Sequence, residues 1–503
     1  MGFLKTSLKH YSSRSPVGTL RRRLGTGGKY AVRSGTTVMV EALQRPLRSA
    51  IRNACQNASQ QRQPALAITA ASVPRMNLLS AFARYSPHMN ANLWFGLTKK
   101  SILGLGAAIE CTGHGADRFT DVSARWHDLI KNAVTEGDTA PVALGGFRFD
   151  TACPASPMWA GFADGALVIP RVTILQNGAE YCRIVAADYA PPGADADARI
   201  RNICSGFNIG ENERNMPPPE QEGHISIFDS GNARKQWQNL VHNALDAISR
   251  GLAKKIVAAR MIRATSTTPF AVPNIVKRLH AKNPQATVFA FGRCGTYFVG
   301  ATPEILITAK ERSFQTMALA GSAPRSGDPA RDAELGQALL VSDKDRIEHD
   351  FVVQAVLRSL QPHCETLVAD SAPSLHKLHK VQHLITHFKG NLSSGQNLLD
   401  IVAHLHPTPA VGGAPTEFAL AFLREYEGID RGWYAGPVGW LDAENNGEFM
   451  VALRSGVICG ENAALFAGCG LVANSDPDME YQETRFKFST MLDGLCLTHG
   501  DGE

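Results

Sequence analysis

Two acidic clusters, far apart in the chain, carry the spacing that chemistry needs. One is Asp345-Arg346-Ile347-Glu348-His349; the other is Glu480-Tyr481-Gln482-Glu483-Thr484-Arg485-Phe486-Lys487. Each holds two carboxylates at i and i+3, which share one face of a helix. Brought together, the faces would crowd Asp345, Glu348, Glu480 and Glu483, and like charges repel at that range. A hard divalent cation resolves the conflict, because Mg2+ takes oxygen ligands and keeps places for water and substrate. Spacing alone fits two solvated helix faces equally well.

Lys255 opens an apolar run, Lys255-Ile-Val-Ala-Ala-Arg260. A lysine beside a buried sheet can lose its charge by desolvation and act as a base; an edge lysine that blunts strand pairing is the plainer reading. Thr302-Pro303-Glu304 puts a carboxylate at a strand start. In the same cavity it could be held protonated and act as an acid. Gly321-Ser322 and Gly468-Cys469-Gly470 each follow an apolar run. Glycine there lets backbone approach a ligand closely, though it also makes ordinary turns. The GxG is no dinucleotide fingerprint, since Ala473 fills the sixth position. His406-Pro-Thr-Pro-Ala410-Val-Gly-Gly-Ala-Pro415 is a stiff loop poor in side chains.

The elements that must position these groups follow from periodicity. Helices are expected at 45–60, 236–251, 274–281, as one long element from Glu334 to Leu360, and from Pro477 to Leu495. Residues 90–205 read as antiparallel strands, with 166–174 as one run. Further strands are expected at 65–70, 255–260, 287–291, 297–299, 304–308, 314–318, 448–454 and 464–467. The class is α+β, with helices outside a large, mostly antiparallel sheet system. A Pro-rich stretch at 208–223 reads as a linker. The expected organisation is 1–38 as a basic extension, 39–207 as a β-rich part, the linker, and 224–503 as the catalytic region.

Composition narrows the partners. The chain has 503 residues, a net charge of +5 and ten cysteines, none in a C-x-x-C pair. That argues against a zinc or redox motif and for reduced thiols. The basic excess lies in the first 62 residues, where Arg21, Arg22, Arg23 and nine other cations face only Glu41. The remainder is slightly acidic, which gives no support for a nucleic-acid-binding body. No apolar run is long enough to span a membrane. The basic start reads as a transit peptide, a tail, or text upstream of a true start at Met39. The expected location is the cytoplasm, with plastid or mitochondrion following from the transit-peptide reading.

Taken together, the motifs resemble the chorismate-utilising family of anthranilate, aminodeoxychorismate, salicylate and isochorismate synthases. The resemblance rests on Lys255–Arg260, Gly300-Ala-Thr-Pro-Glu304, Leu319-Ala-Gly-Ser322, Ser342–His349, His406-Pro-Thr-Pro-Ala410 and Arg431-Gly-Trp-Tyr-Ala-Gly-Pro-Val-Gly-Trp440. It continues through Val451-Ala-Leu-Arg454, Phe466–Val472 and Glu480-x-x-Glu483-Thr-x-x-x-Lys487. It implies an anthranilate synthase large-subunit-like fold and the substrate chorismate, with no membrane, no nucleic acid and no obligatory glutamine amidotransferase subunit. It implies Mg2+ held by Glu348 and Glu483, with Asp345 and Glu480 acting directly or through water. Arg454 and Lys487 would bind carboxylates, and Gly321, Ser322, Ala410, Tyr434 and Gly468 would line the substrate. Lys255 would be the base and Glu304 the acid.

Within that family the text is most similar to bacterial isochorismate synthases of salicylate and siderophore pathways. Amine-using and salicylate-forming relatives usually have Thr where this chain has Ala410, and often Lys at Thr416; salicylate synthases typically have Thr at Ser322. These positions favour water as nucleophile. Alternatives are a salicylate synthase, which adds pyruvate elimination, and an inactive Mg2+-binding relative. Thr302 stands where relatives usually have Ser, and His387 where many have Pro.

Overall fold

The structure is a computed structural model that describes residues 38–137, 139–178, 181–207, 223–228, 231–377 and 381–496. The expected extension therefore lies almost wholly outside the described residues, as does nearly all of the 208–223 linker.

Two large sheets form the body. The first has thirteen strands and runs from Ile225–Phe228 through Lys255–Ser266, Asn462–Leu471, Ser455–Cys459, Thr296–Thr302 and Thr287–Arg293. It continues through Ala91–Phe95, Ser101–Leu105, Val172–Gln176, Tyr181–Ala190 and Ala65–Pro74 to Val134–Glu136. The short Gly413–Ala414 strand pairs with the start of Lys255–Ser266. The second has ten strands, and its centre is Val381–Leu392, Ser313–Pro324, Ile305–Lys310, Gly447–Val451, Pro437–Asp442 and Val142–Phe147. Among the described residues the one parallel pairing joins Ala65–Pro74 to Val134–Glu136. The rest are antiparallel, as the alternating and apolar runs lead one to expect. The protein is α+β.

Strands from both halves of the chain interleave in each sheet. Val142–Phe147 pairs with Pro437–Asp442, and Ala91–Phe95 with Thr287–Arg293. Their facing sides share a core that includes Trp94, Phe147, Phe289, Phe298, Trp433 and Phe449, all fully buried. A second core covers the other face of the first sheet. There helix Val38–Gln61 buries Leu43, Leu47, Ala50, Ile51, Ala54 and Ala58, a stripe at helical spacing.

Three local expectations differ from the structure. The 166–174 run is not one strand. Gly165–Ile169 belongs to the second sheet and Val172–Gln176 to the first, with Pro170-Arg171 as the crossover; proline interrupts the ladder there. The long helix from Glu334 breaks into Pro329–Val341 and Asp343–Leu360. Ser342 leaves helical geometry and its side chain accepts from the Asp345 N–H, an N-cap. The 90–205 region also contains helices Arg118–Lys131 and Ala196–Gly206, the latter capped by Asp195.

Candidate active site

The chain crosses between the sheets at the places where its chemistry sits. Strand Thr296–Thr302 of the first sheet passes into Ile305–Lys310 of the second through Pro303 and Glu304. Strand Gly447–Val451 of the second passes back into Ser455–Cys459 through Ala452–Arg454. The crossovers are laced together. The Val451 N–H donates to Glu304 O at 3.0 Å and the Ala301 N–H to Arg454 O at 3.1 Å. The buried Thr302 hydroxyl donates to Val451 O at 2.5 Å and accepts from the Glu304 N–H at 3.3 Å. A serine hydroxyl could do the same, so the structure shows why Thr302 is a tolerable departure.

A cavity of about 240 Å³ opens at this seam. Lys255, Glu304, Gly321, Ser322, Asp345, Glu348, Ala410, Tyr434, Arg454, Gly468, Glu480, Glu483 and Lys487 all line it. The tertiary structure thus brings together every residue that the sequence marked for a role.

Each is held by an identifiable element. Lys255 begins its strand opposite Ala414, and its aliphatic stem runs over Gly470, where a Cβ would stand 2.7 Å from Lys255 Cε. Gly321 has φ +73 and marks a bulge in strand Ser313–Pro324. That left-handed backbone favours glycine, and a Cβ there would come 3.2 Å from Asp345 Cβ. Helix Asp343–Leu360 carries Asp345 and Glu348 on the cavity face, and helix Pro477–Gly494 carries Glu480, Glu483 and Lys487. The i, i+3 reading of both clusters is thereby realised.

The carboxylates differ in electrostatics. Burial pushes Glu304 from 4.5 up to about 7, against the pull of Lys255, Lys487 and Arg454. Glu304 can therefore hold a proton near neutrality. Burial also pushes Glu348 up, but Lys255, Lys344 and the Gly321 backbone outweigh it and hold the carboxyl low. Glu483 is likewise held low, burial being outweighed by Lys487 and Arg454. Glu480 is raised by burial and by its neighbour Glu483, against hydrogen bonding from Ser475. Two lysines make direct contacts: Lys255 Nζ lies 2.8 Å from Glu348 Oε1, and Lys487 Nζ lies 2.6 Å from Glu483 Oε1. Lys487 also donates to Gly468 O at 2.7 Å. Burial raises the Tyr434 phenol to about 12, so it remains a neutral O–H.

Among the described residues, no three His, Cys, Asp or Glu side chains are arranged as a metal cage. The donor set still suits Mg2+, which binds through one or two carboxylates and keeps its other places for water and substrate. Glu348 and Glu483 reach one cavity from two helices and offer only hard oxygens.

Some lining residues escaped the sequence reading. His383 sits across the sheet from Ser322; its Nδ1 lies 2.8 Å from Ser322 Oγ and 3.3 Å from Gly321 O. Burial, with Lys487 and Arg454, lowers it to about 4, so the imidazole is neutral. Only strand register places it there. Arg431, quoted in a motif but given no role, forms a buried ion pair with Glu427. It also donates to Val257 O at 2.6 Å and Val411 O at 3.0 Å, tying the Lys255 strand to the proline-glycine loop. His387 is exposed and does not line the cavity.

Comparison with known proteins decides the family. A family model described as "Chorismate binding enzyme" matches residues 53–496. The chain belongs to the chorismate-binding enzymes. It is 38% identical over 439 residues to the salicylate biosynthesis isochorismate synthase of Pseudomonas aeruginosa, covering 87% of this chain and 92% of that protein. It is 32% identical over 471 residues to the isochorismate synthase MenF of Bacillus subtilis, covering 91% and 99%. Among solved structures, the menaquinone-specific isochorismate synthase MenF of Escherichia coli superposes with a TM-score of 0.71 at 24% identity, covering 90% of this chain and all of that one. Anthranilate synthase component I of Streptococcus pneumoniae gives 0.63 at 21% identity, over 78% and 92%. Both likenesses show the fold. No described helix is long and apolar enough to cross a membrane.

Proposed function

We propose that this protein is an isochorismate synthase, converting chorismate to isochorismate with no net redox change. The observation that carries the reading is the pairing, in one cavity, of a lysine with a carboxyl whose pKa is about 7. Lys255 takes a proton from water as its oxygen bonds to ring carbon C2. Both ring double bonds shift by one position, C1=C2 to C1=C6 and C5=C6 to C4=C5, and the C4–O bond breaks. Glu304 gives its proton to the departing hydroxyl, so one water enters and one leaves. Geometry and pKa both suit Glu304 to the acid role, because a carboxyl near 7 is half protonated at neutral pH.

Arg454 and Lys487 supply positive charge for the two substrate carboxylates. Ser322, Gly321, Gly468, Ala410 and Tyr434 shape the wall. Mg2+, held by Glu348 and Glu483 with Asp345 and Glu480 beside them, would neutralise the ring carboxylate and fix its orientation. The small Ala410 leaves room for water. The strong identity to named isochorismate synthases over most of the chain supports the same activity.

Incubation with chorismate and Mg2+, followed by product chromatography, tests the proposal. Isochorismate without pyruvate is expected. Stoichiometric pyruvate with salicylate would make the protein a salicylate synthase, and no turnover would leave an inactive relative.

A further inference from the structure

In the proposed function Glu348 and Glu483 hold a cation, while Lys255 and Lys487 act on water and on substrate. The structure shows these four groups engaged with one another instead. Lys255 Nζ lies 2.8 Å from Glu348 Oε1, and Lys487 Nζ lies 2.6 Å from Glu483 Oε1. The same oxygens cannot serve an ammonium and a hard cation at full strength together. We propose that Lys255 and Lys487 are built-in competitors for the divalent-cation site, each holding one metal carboxylate through its own ammonium group. This rests on the Mg2+ assignment in the proposed function.

Several features make the contacts more than surface ion pairs. Both carboxylates are part-buried and lie in one cavity, where Coulombic attraction is stronger than in bulk water. Lys487 is fixed from a second side by its hydrogen bond to Gly468 O. Lys255 is constrained by its strand and by the close pass over Gly470. Neither lysine has to search for its partner, so the entropic cost that weakens exposed pairs is small here.

The consequence is a linked pair of events. A cation that engages Glu348 releases Lys255 from its ion pair, and one that engages Glu483 releases Lys487. The Lys255 and Lys487 side chains thus become free to take other partners in the cavity as the metal site fills. Metal affinity in turn is lowered by the contacts that must be broken. Linkage makes the effect reciprocal: anything that draws Lys487 away, such as a substrate carboxylate, favours the cation.

The test is Mg2+ binding to the full chain, read by isothermal titration calorimetry without substrate, so that activity plays no part. Lys255→Met and Lys487→Met should each lower the Mg2+ dissociation constant by about 10-fold or more, the equivalent of one part-buried ion pair. Arg454→Met is the control. It removes the same charge from the same cavity wall, yet Arg454 makes no ion pair shorter than 4 Å with a carboxylate among the described residues. Its effect should be several-fold smaller. Equal effects from all three variants would reduce the finding to general charge repulsion and overturn direct competition. Unchanged affinity in both lysine variants would do the same while leaving the metal assignment intact. No detectable Mg2+ binding in any protein, with or without chorismate, would overturn the metal assignment and the competition together.

Discussion

Glu304 offers a stability test that needs no substrate. In the folded protein its pKa rises from 4.5 to about 7, burial outweighing Lys255, Lys487 and Arg454. Between those values the folded chain binds the proton more tightly than the unfolded chain. Stability from this group is therefore complete below pH 4.5 and falls as pH rises through 7. At 1.36 kcal/mol per pH unit the full cost of charging it is roughly 3 kcal/mol. Glu304→Gln keeps the shape but cannot ionise, so it escapes that cost. The variant should match the wild type near pH 4.5 and exceed it by up to about 3 kcal/mol above pH 8. Urea-denaturation midpoints of both proteins at several pH values supply the measurement, since other titrating groups cancel in the difference. Parallel curves for the two proteins from pH 5 to 8.5 would refute the raised pKa, and with it the reason for choosing Glu304 as the acid.

Lys255→Gln and Glu304→Gln should each lower kcat by about 10²–10⁴-fold, the usual worth of one acid–base group, with chorismate binding retained in a fluorescence or calorimetric titration. In the wild type, kcat/KM should decline as pH rises through about 7, where free Glu304 loses its proton. Gly470→Ala should fold, because the flexible Lys255 stem can give way to a Cβ otherwise 2.7 Å from its Cε; displacement of the amine should cost on the order of 10²-fold in kcat, read in steady-state kinetics. Excess chelator should abolish turnover and added Mg2+ restore it, whereas Glu348→Gln and Glu483→Gln should not recover at the same Mg2+ concentration. Deleting residues 1–38 should leave the urea midpoint unchanged, since that stretch is basic and poor in apolar residues, while Ile51→Ala should destabilise by about 2–5 kcal/mol.

Much of the site was legible in the chain because its signals are local. A carboxylate pair at i and i+3 needs only a helix to share a face, and both Asp345–Glu348 and Glu480–Glu483 received one. Apolar runs followed by glycine marked Gly321 and Gly468, and both reach the cavity, although neither glycine ends its strand, which runs on to Pro324 in one case and Leu471 in the other. The strand at Lys255 and the final helix follow from periodicity, which is a property of neighbouring residues. Even the break at Ser342 had a local signal, a serine three residues before a carboxylate, that a long apolar repeat concealed.

The tertiary structure alone decided the rest. Pro170-Arg171 looks like the middle of a strand, but the chain changes sheets there, a choice made by partners far away in sequence. His383 became a cavity residue only through its register against Ser322. The pKa of Glu304 depends on what buries it and on three cations from separate elements. The pairing of Lys255 with Glu348 joins groups 93 residues apart. Sequence fixes residue types and local periodicity, which need only short-range sterics. Desolvation, register and ion pairing depend on which distant surfaces meet, and folding supplies that information.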